Sequence, residues 1–150
     1  MTTVKFAFLQ GKTIEGRHKF IEGDGLLHNL TDISDFSLMT GCDYLGIDVN
    51  TQNNRIYGIS GYLSVKKLQK SKILFPSNII EGSVFIKNES FVPGTVSDYT
   101  QPLIGKFDHY SKCICLGNNE CEATSIKISE DVFISIRDEK LIAIFIKPIF

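Results

Sequence analysis

Apolar and polar positions alternate along most of this chain, and they do so in short runs. Residues 132–146 show the pattern most fully: Val132, Phe133, Ile134, Ser135 and Ile136 lead into the polar trio Arg137, Asp138 and Glu139, and a second apolar run ends at Ile146. Two runs rich in β-branched and aromatic residues around a polar trio predict a β-hairpin. Similar runs at 4–9, 44–49, 56–63 and 84–86 extend that prediction to a sheet burying one face or both.

The connections follow from turn chemistry. A first strand turns around residues 10–12 into a second that ends near Ile21, and the glycines at 22–25 mark a bend. Thr31 or Asp32 is placed to cap a short helix through Met39, because Ile33, Phe36 and Met39 recur at helical spacing and Gly41 would stop it. Residues 45–62 form a hairpin split by an Asn-rich turn at 50–54, since Asn tolerates left-handed backbone angles. Residues 64–71 are a helical turn or loop, 91–103 an irregular segment with Pro93, Gly94 and Pro102, and 107–116 a hairpin turning at His109, Tyr110 and Ser111.

The expected fold is mainly β: an antiparallel sheet forming a sandwich or partly closed barrel, with at most one or two short helices. Composition agrees, with 20 Ile and 11 Phe against only three Ala, a residue that helical bundles use freely. A chain of 150 residues suits one globular domain, 1–150, that buries roughly two thirds of its unfolded surface.

The net charge of -1 conceals an asymmetry: residues 1–50 carry −3, 51–112 carry +4 and 113–150 carry −2. That distribution gives no general attraction to nucleic acid or anionic membrane. The start has no cleavage-site pattern and no stretch approaches the ~18 apolar residues of a membrane span, so a cytoplasmic location and reduced thiols are expected.

Candidate chemistry is sparse. His109, Cys113, Cys115 and Cys121 supply four zinc-competent side chains, but their spacing lacks the paired knuckles of structural zinc sites; buried thiols are the plainer reading, and no cofactor or metal is expected. Asp48, Asn50, Gln52 and Asn54 open like a calcium loop, yet Asn53 stands where glycine is needed and Ile59 where a glutamate should close the shell. Ser60, within Gly-Ile-Ser-Gly, misses the nucleophile-elbow spacing, and the 22–25 bend lacks the glycine and helix of a dinucleotide site. General acid-base chemistry would have to use His18, His28 or His109 beside Glu15, Glu22 or Asp108.

Two surface patches remain. Lys66, Lys67, Lys70 and Lys72 concentrate positive charge without Arg or interleaved aromatics, which suits a solvated face or a protected edge strand better than a nucleic-acid track. Asp24, Asp32, Asp35, Asp43 and Asp48, with Phe36 and Tyr44 as aromatic anchors, form a candidate surface for a cationic protein partner.

With its size, its lack of export signals and its closing strand-turn-strand at 125–148, Ser-Ile-Lys-Ile-Ser-Glu-Asp-Val-Phe-Ile-Ser-Ile-Arg-Asp-Glu-Lys-Leu-Ile-Ala-Ile-Phe-Ile-Lys-Pro, the chain resembles small bacterial immunity proteins of contact-dependent growth inhibition and related polymorphic toxin systems. The resemblance implies a non-enzymatic inhibitor that binds a cognate toxin, often a nuclease domain, one to one. It carries over no individual residue. The alternative is a small β-barrel or sandwich ligand-binding domain or enzyme whose pocket is assembled from distant strands.

Overall fold

The computed structural model describes residues 4–30, 33–87, 89–99, 102–118 and 123–150. Its elements, in chain order, are β1 (Lys5–Gln10), β2 (His18–Ile21), β3 (Leu26–Asn29), β4 (Phe36–Met39), β5 (Tyr44–Asn50), β6 (Arg55–Tyr62), a single 3-10 turn η1 (Val65–Lys67), β7 (Gln69–Lys70), β8 (Ile79–Lys87), β9 (Thr95–Asp98), β10 (Gly105–Asp108), β11 (Cys113–Gly117), β12 (Thr124–Ser129), β13 (Val132–Arg137) and β14 (Lys140–Ile146). The protein is mainly β, as its alternation predicts.

All the strands join one sheet, ordered β7-β10-β11-β14-β13-β12-β8-β6-β5-β4-β9, with β1 on β8 and the β2–β3 hairpin on β6. The sheet curls into an open half-barrel. It is mixed, which corrects the purely antiparallel expectation: β4–β9, β7–β10 and β8–β12 are parallel pairs. A parallel pair needs a long crossover and leaves no hairpin signal between its strands, so local alternation does not reveal it.

The long strand β8 joins the two halves. Its first residues, Ile79, Ile80 and Glu81, pair with β12, while Gly82 to Lys87 pair with β1. The inner face collects one large core that includes Phe6, Leu27, Ile47, Ile59, Ile114, Ile134 and Ile144. Successive strand residues face opposite ways, so Phe133 of β13 and Phe145 of β14 point outward and are covered by the segment carrying Ile73 and Phe75. Phe75 meets both rings at 5.7 and 5.6 Å, and the Lys147 ammonium lies 3.8 Å from its ring centre.

The predicted hairpin at 132–146 forms, and its two-residue turn has φ 51° at Asp138 and 63° at Glu139. Two left-handed residues give the turn the twist its flanking strands need. The predicted helix before Gly41 does not form in the described residues. Phe36 and Leu38 are buried while Ser37 and Met39 are partly exposed, a period of two that pairs β4 with β5. Its proposed caps, Thr31 and Asp32, lie outside the described residues. A ladder to Val49 and Ile47 satisfies the backbone while burying Phe36 and Leu38, which outweighs weak helical spacing.

Beyond β14 the chain crosses to β2. Phe20 N–H donates to Ile149 O at 2.7 Å, and Ile149 N–H donates to His18 O at 2.8 Å. This staple brings the Phe150 ring to 5.5 Å from Phe20 and 6.1 Å from Phe107, beside the cleft described next.

Candidate functional site

Four connections distant in sequence meet at one end of the half-barrel. They are the β2–β3 turn, the β4–β5 turn, the end of β6 running into η1, and the β10–β11 turn, and they enclose an open cleft of about 620 Å³. Phe20, Leu63 and Phe107 are buried beneath it. Glu22, Asp24, Asp43, Lys66, His109 and Lys112 supply its charged and titratable lining.

Local geometry fixes this lining. Gly25 has φ 64°, its carbonyl accepts from Leu63 N–H at 2.7 Å, and a Cβ there would sit 3.1 Å from Leu63 O. Only glycine takes both the angle and the approach without strain. The Asp43 carboxylate accepts from Ser64 N–H at 2.8 Å and so ties the β4–β5 turn to the segment after β6. Tyr44 and Tyr62 stand directly opposite each other on β5 and β6, with 70% and 58% of their surface exposed. Opposed residues share a face of the sheet, so both tyrosines face solvent on the same side of the sheet at the cleft.

Of the residues singled out from sequence, Asp24, Asp43 and Tyr44 are brought together here. Asp32 lies outside the described residues. Phe36 is no surface anchor: it is buried and stacks on Phe91 at 4.1 Å. Asp48 is likewise buried, accepting from Asn29 Nδ2 at 3.0 Å and Ser60 Oγ at 2.7 Å. Asp35 accepts from both the amide and the hydroxyl of Thr51 at 2.7 Å, and these bonds hold its carboxyl below the usual range. Sequence reading missed Tyr62 and Lys112 as members of the cleft, because only the β5–β6 register and the curl of the sheet bring them there.

The histidines part company. His18 is fully buried, with Nδ1 3.0 Å from Asp131 Oδ1 and its amide donating to Asp131 Oδ2. Its Nε2 accepts from Ile59 N–H at 3.1 Å, which assigns the ring proton to Nδ1 and leaves neither nitrogen for a substrate. His28 is exposed on β3 opposite Lys19. His109 lines the cleft, edge-on to Phe107 at 5.0 Å. Its neighbour Asp108 is occupied by the backbone amides of Ile73, Tyr110 and Ser111, which hold that carboxyl below its usual range. Among the described residues, the His–carboxylate contact is therefore His18–Asp131, away from the cleft.

The zinc alternative loses its geometry. Cys113 and Cys115 belong to the outer cluster with Phe133 and Phe145, whereas His109 packs on Phe107, which faces the inner core. Cys121 lies outside the described residues, and among those described no group of three or more His, Cys, Asp or Glu is arranged to hold a metal. Burial pushes the Cys113 thiol up to about 12 and that of Cys115 up to about 11. Both should resist iodoacetamide at about pH 8 in the native protein and react on unfolding, since the thiolate is the nucleophile. The unfolded chain releases these protons first as pH rises past the ordinary value of 9.0, so native stability falls between there and about 11 to 12. A Cys113→Ala, Cys115→Ala variant should show a flatter alkaline limb in urea melts; rapid native labelling would contradict the assignment.

No family model and no curated protein matches this chain. The cleft is thus described by its own chemistry: two exposed tyrosines, three carboxylates, two ammonium groups and a histidine that, among the described residues, has no carboxylate partner. Among the described residues no helix is long and apolar enough to cross a membrane.

Proposed function

We propose that this chain is a cytoplasmic immunity-type protein that binds and neutralises a cognate bacterial toxin one to one, using the cleft and its rim. The observation that carries the reading is the exposed Tyr44–Tyr62 pair beside Glu22, Asp24 and Asp43. Tyrosine gives a large, stiff contact surface, and residues of this type dominate the energy of many protein interfaces. The carboxylates would steer a cationic partner and receive Arg or Lys side chains, with the tyrosine rings offering cation–π faces. Lys66 and Lys112 would set the orientation.

The test starts from the neighbouring genes: a candidate toxin domain found there is co-expressed with this chain. A one-to-one complex and restored growth are expected. Tyr44→Ala with Tyr62→Ala should weaken binding by about 100-fold or more, two hot-spot truncations of roughly 2 kcal/mol each being enough. Glu22→Lys with Asp24→Lys should mainly slow association, most clearly at low salt. Unchanged affinity in the tyrosine double variant would remove this surface from the proposal.

A second reading keeps one specific observation in its favour. The cleft volume of about 620 Å³ matches small-molecule sites, and its walls come from distant strands. A metabolite retained through native mass spectrometry, or turnover lost in His109→Ala, would favour a ligand-binding domain or enzyme.

A further inference from the structure

The other side of the β10–β11 turn holds a second cleft, of about 600 Å³, lined by Lys70, Ser71, Lys72, Phe107, Asp108, His109 and Tyr110. We infer that it binds a free nucleoside phosphate, with the phosphate on Lys70 and Lys72 and the base against Tyr110.

Its walls are held in place. β7 pairs in parallel with β10, Ser71 N–H donates to Phe107 O at 3.1 Å, and Ile73 N–H donates to Asp108 Oδ2 at 2.9 Å. The two lysines therefore project from a backbone fastened to the opposite wall. Both are exposed and, among the described residues, form no ion pair. The one carboxylate in the lining, Asp108, is buried and engaged by three backbone amides. Its charge tempers the positive field without offering either lysine a free partner.

Two ammonium groups two residues apart suit a compact dianion, and a nucleoside monophosphate carries about −1.5 to −2 at neutral pH. Tyr110 is fully exposed at the turn, with nothing of the protein covering its ring. A planar base stacked there gains contact at little conformational cost. The charge layout favours a single nucleotide over a strand. His109 and Phe107 line both clefts, and on their far side a continuing phosphate track would meet three carboxylates, Glu22, Asp24 and Asp43, against two ammonium groups, Lys66 and Lys112.

Titration calorimetry of the full chain with adenosine 5′-monophosphate, adenosine and ribose 5-phosphate tests the inference. The monophosphate should bind at least about tenfold more tightly than either fragment, since each lacks one of the two anchors. Lys70→Ala with Lys72→Ala should erase the preference over adenosine. Tyr110→Ala should erase the preference over ribose 5-phosphate. Thermal melts should be unchanged, because all three side chains are exposed. No heat with millimolar monophosphate, equal binding of ribose 5-phosphate, or an unaffected lysine variant would overturn the inference. A single-stranded oligonucleotide binding far more tightly than the monophosphate, with steep salt dependence, would overturn it in favour of a strand surface. Tyr44→Ala with Tyr62→Ala should leave nucleotide binding intact, which separates a failure here from a failure of the partner-binding proposal.

Discussion

Asp131→Ala should destabilise the protein by about 3–5 kcal/mol, the cost of leaving several buried donors without their acceptor at roughly 1–3 kcal/mol each. The Asp131 carboxylate accepts from the amide and Nδ1 of His18 and from Ser129 Oγ at 3.1 Å, all buried. Alanine leaves those donors unsatisfied in a site that water does not reach. The loss reaches further because His18 also receives the amide of Ile59, and so links β2 to β6 as well as to the β12–β13 turn. In urea the midpoint should fall with an unchanged slope, and Tm should drop by about 6–20 °C for a chain of this length. Asp131→Asn should recover part of the loss, because its amide oxygen still accepts. A loss under about 1 kcal/mol for the alanine variant would show that this network does not hold the two halves together.

Gly58→Ala is expected to cost about 2–5 kcal/mol through overpacking and backbone strain together. Gly58 has φ 153°, and a Cβ built there lies 2.5 Å from both His18 Nε2 and Asn29 Nδ2. Neither group yields easily, since the ring is bonded to Asp131 and Ile59 and the Asn29 amide donates to Asp48 and Tyr57 O. The register of β5 against β6 shifts beside this glycine, between Asp48 and Val49. Such a bulge re-aims the strand, and here it admits the imidazole beneath the sheet. Denaturation should show the lower midpoint, and the His18 ring signals in NMR should shift; a variant as stable as the parent would mean that the ring has room to move.

The elements legible in the sequence are those whose partners are close along the chain. The hairpin at 132–146 announces itself because each strand carries its own alternation and the turn residues Asp138 and Glu139 lie between them. The Asn-rich turn between β5 and β6 is legible for the same reason, with Asn54 in the left-handed region at φ 56°. β4 was not, since Ile33, Phe36 and Met39 match a helical period by chance and β4 is a strand only by pairing with β5 and β9. β9, inside a segment rich in turn residues, pairs among the described residues with the distant β4. In the candidate site, Asp24, Asp43 and Tyr44 were accessible to reasoning from charge and loops, whereas Phe36 and Asp48 carried the same local signature and are buried.

By itself the sequence determined that this protein is mainly sheet, where several of its hairpins turn, and that familiar catalytic and metal motifs are missing from its linear order. The tertiary structure decided which polar groups are spent on the fold and which are left facing solvent. His18 and Asp131 are 113 residues apart, yet they meet in the core, while Tyr44 and Tyr62 are left facing solvent on paired strands. The physical reason is that alternation reports only that a residue sits on one face or the other. Whether that face meets water, a covering segment or another strand depends on register and curl, and those are set by contacts between residues far apart in the chain.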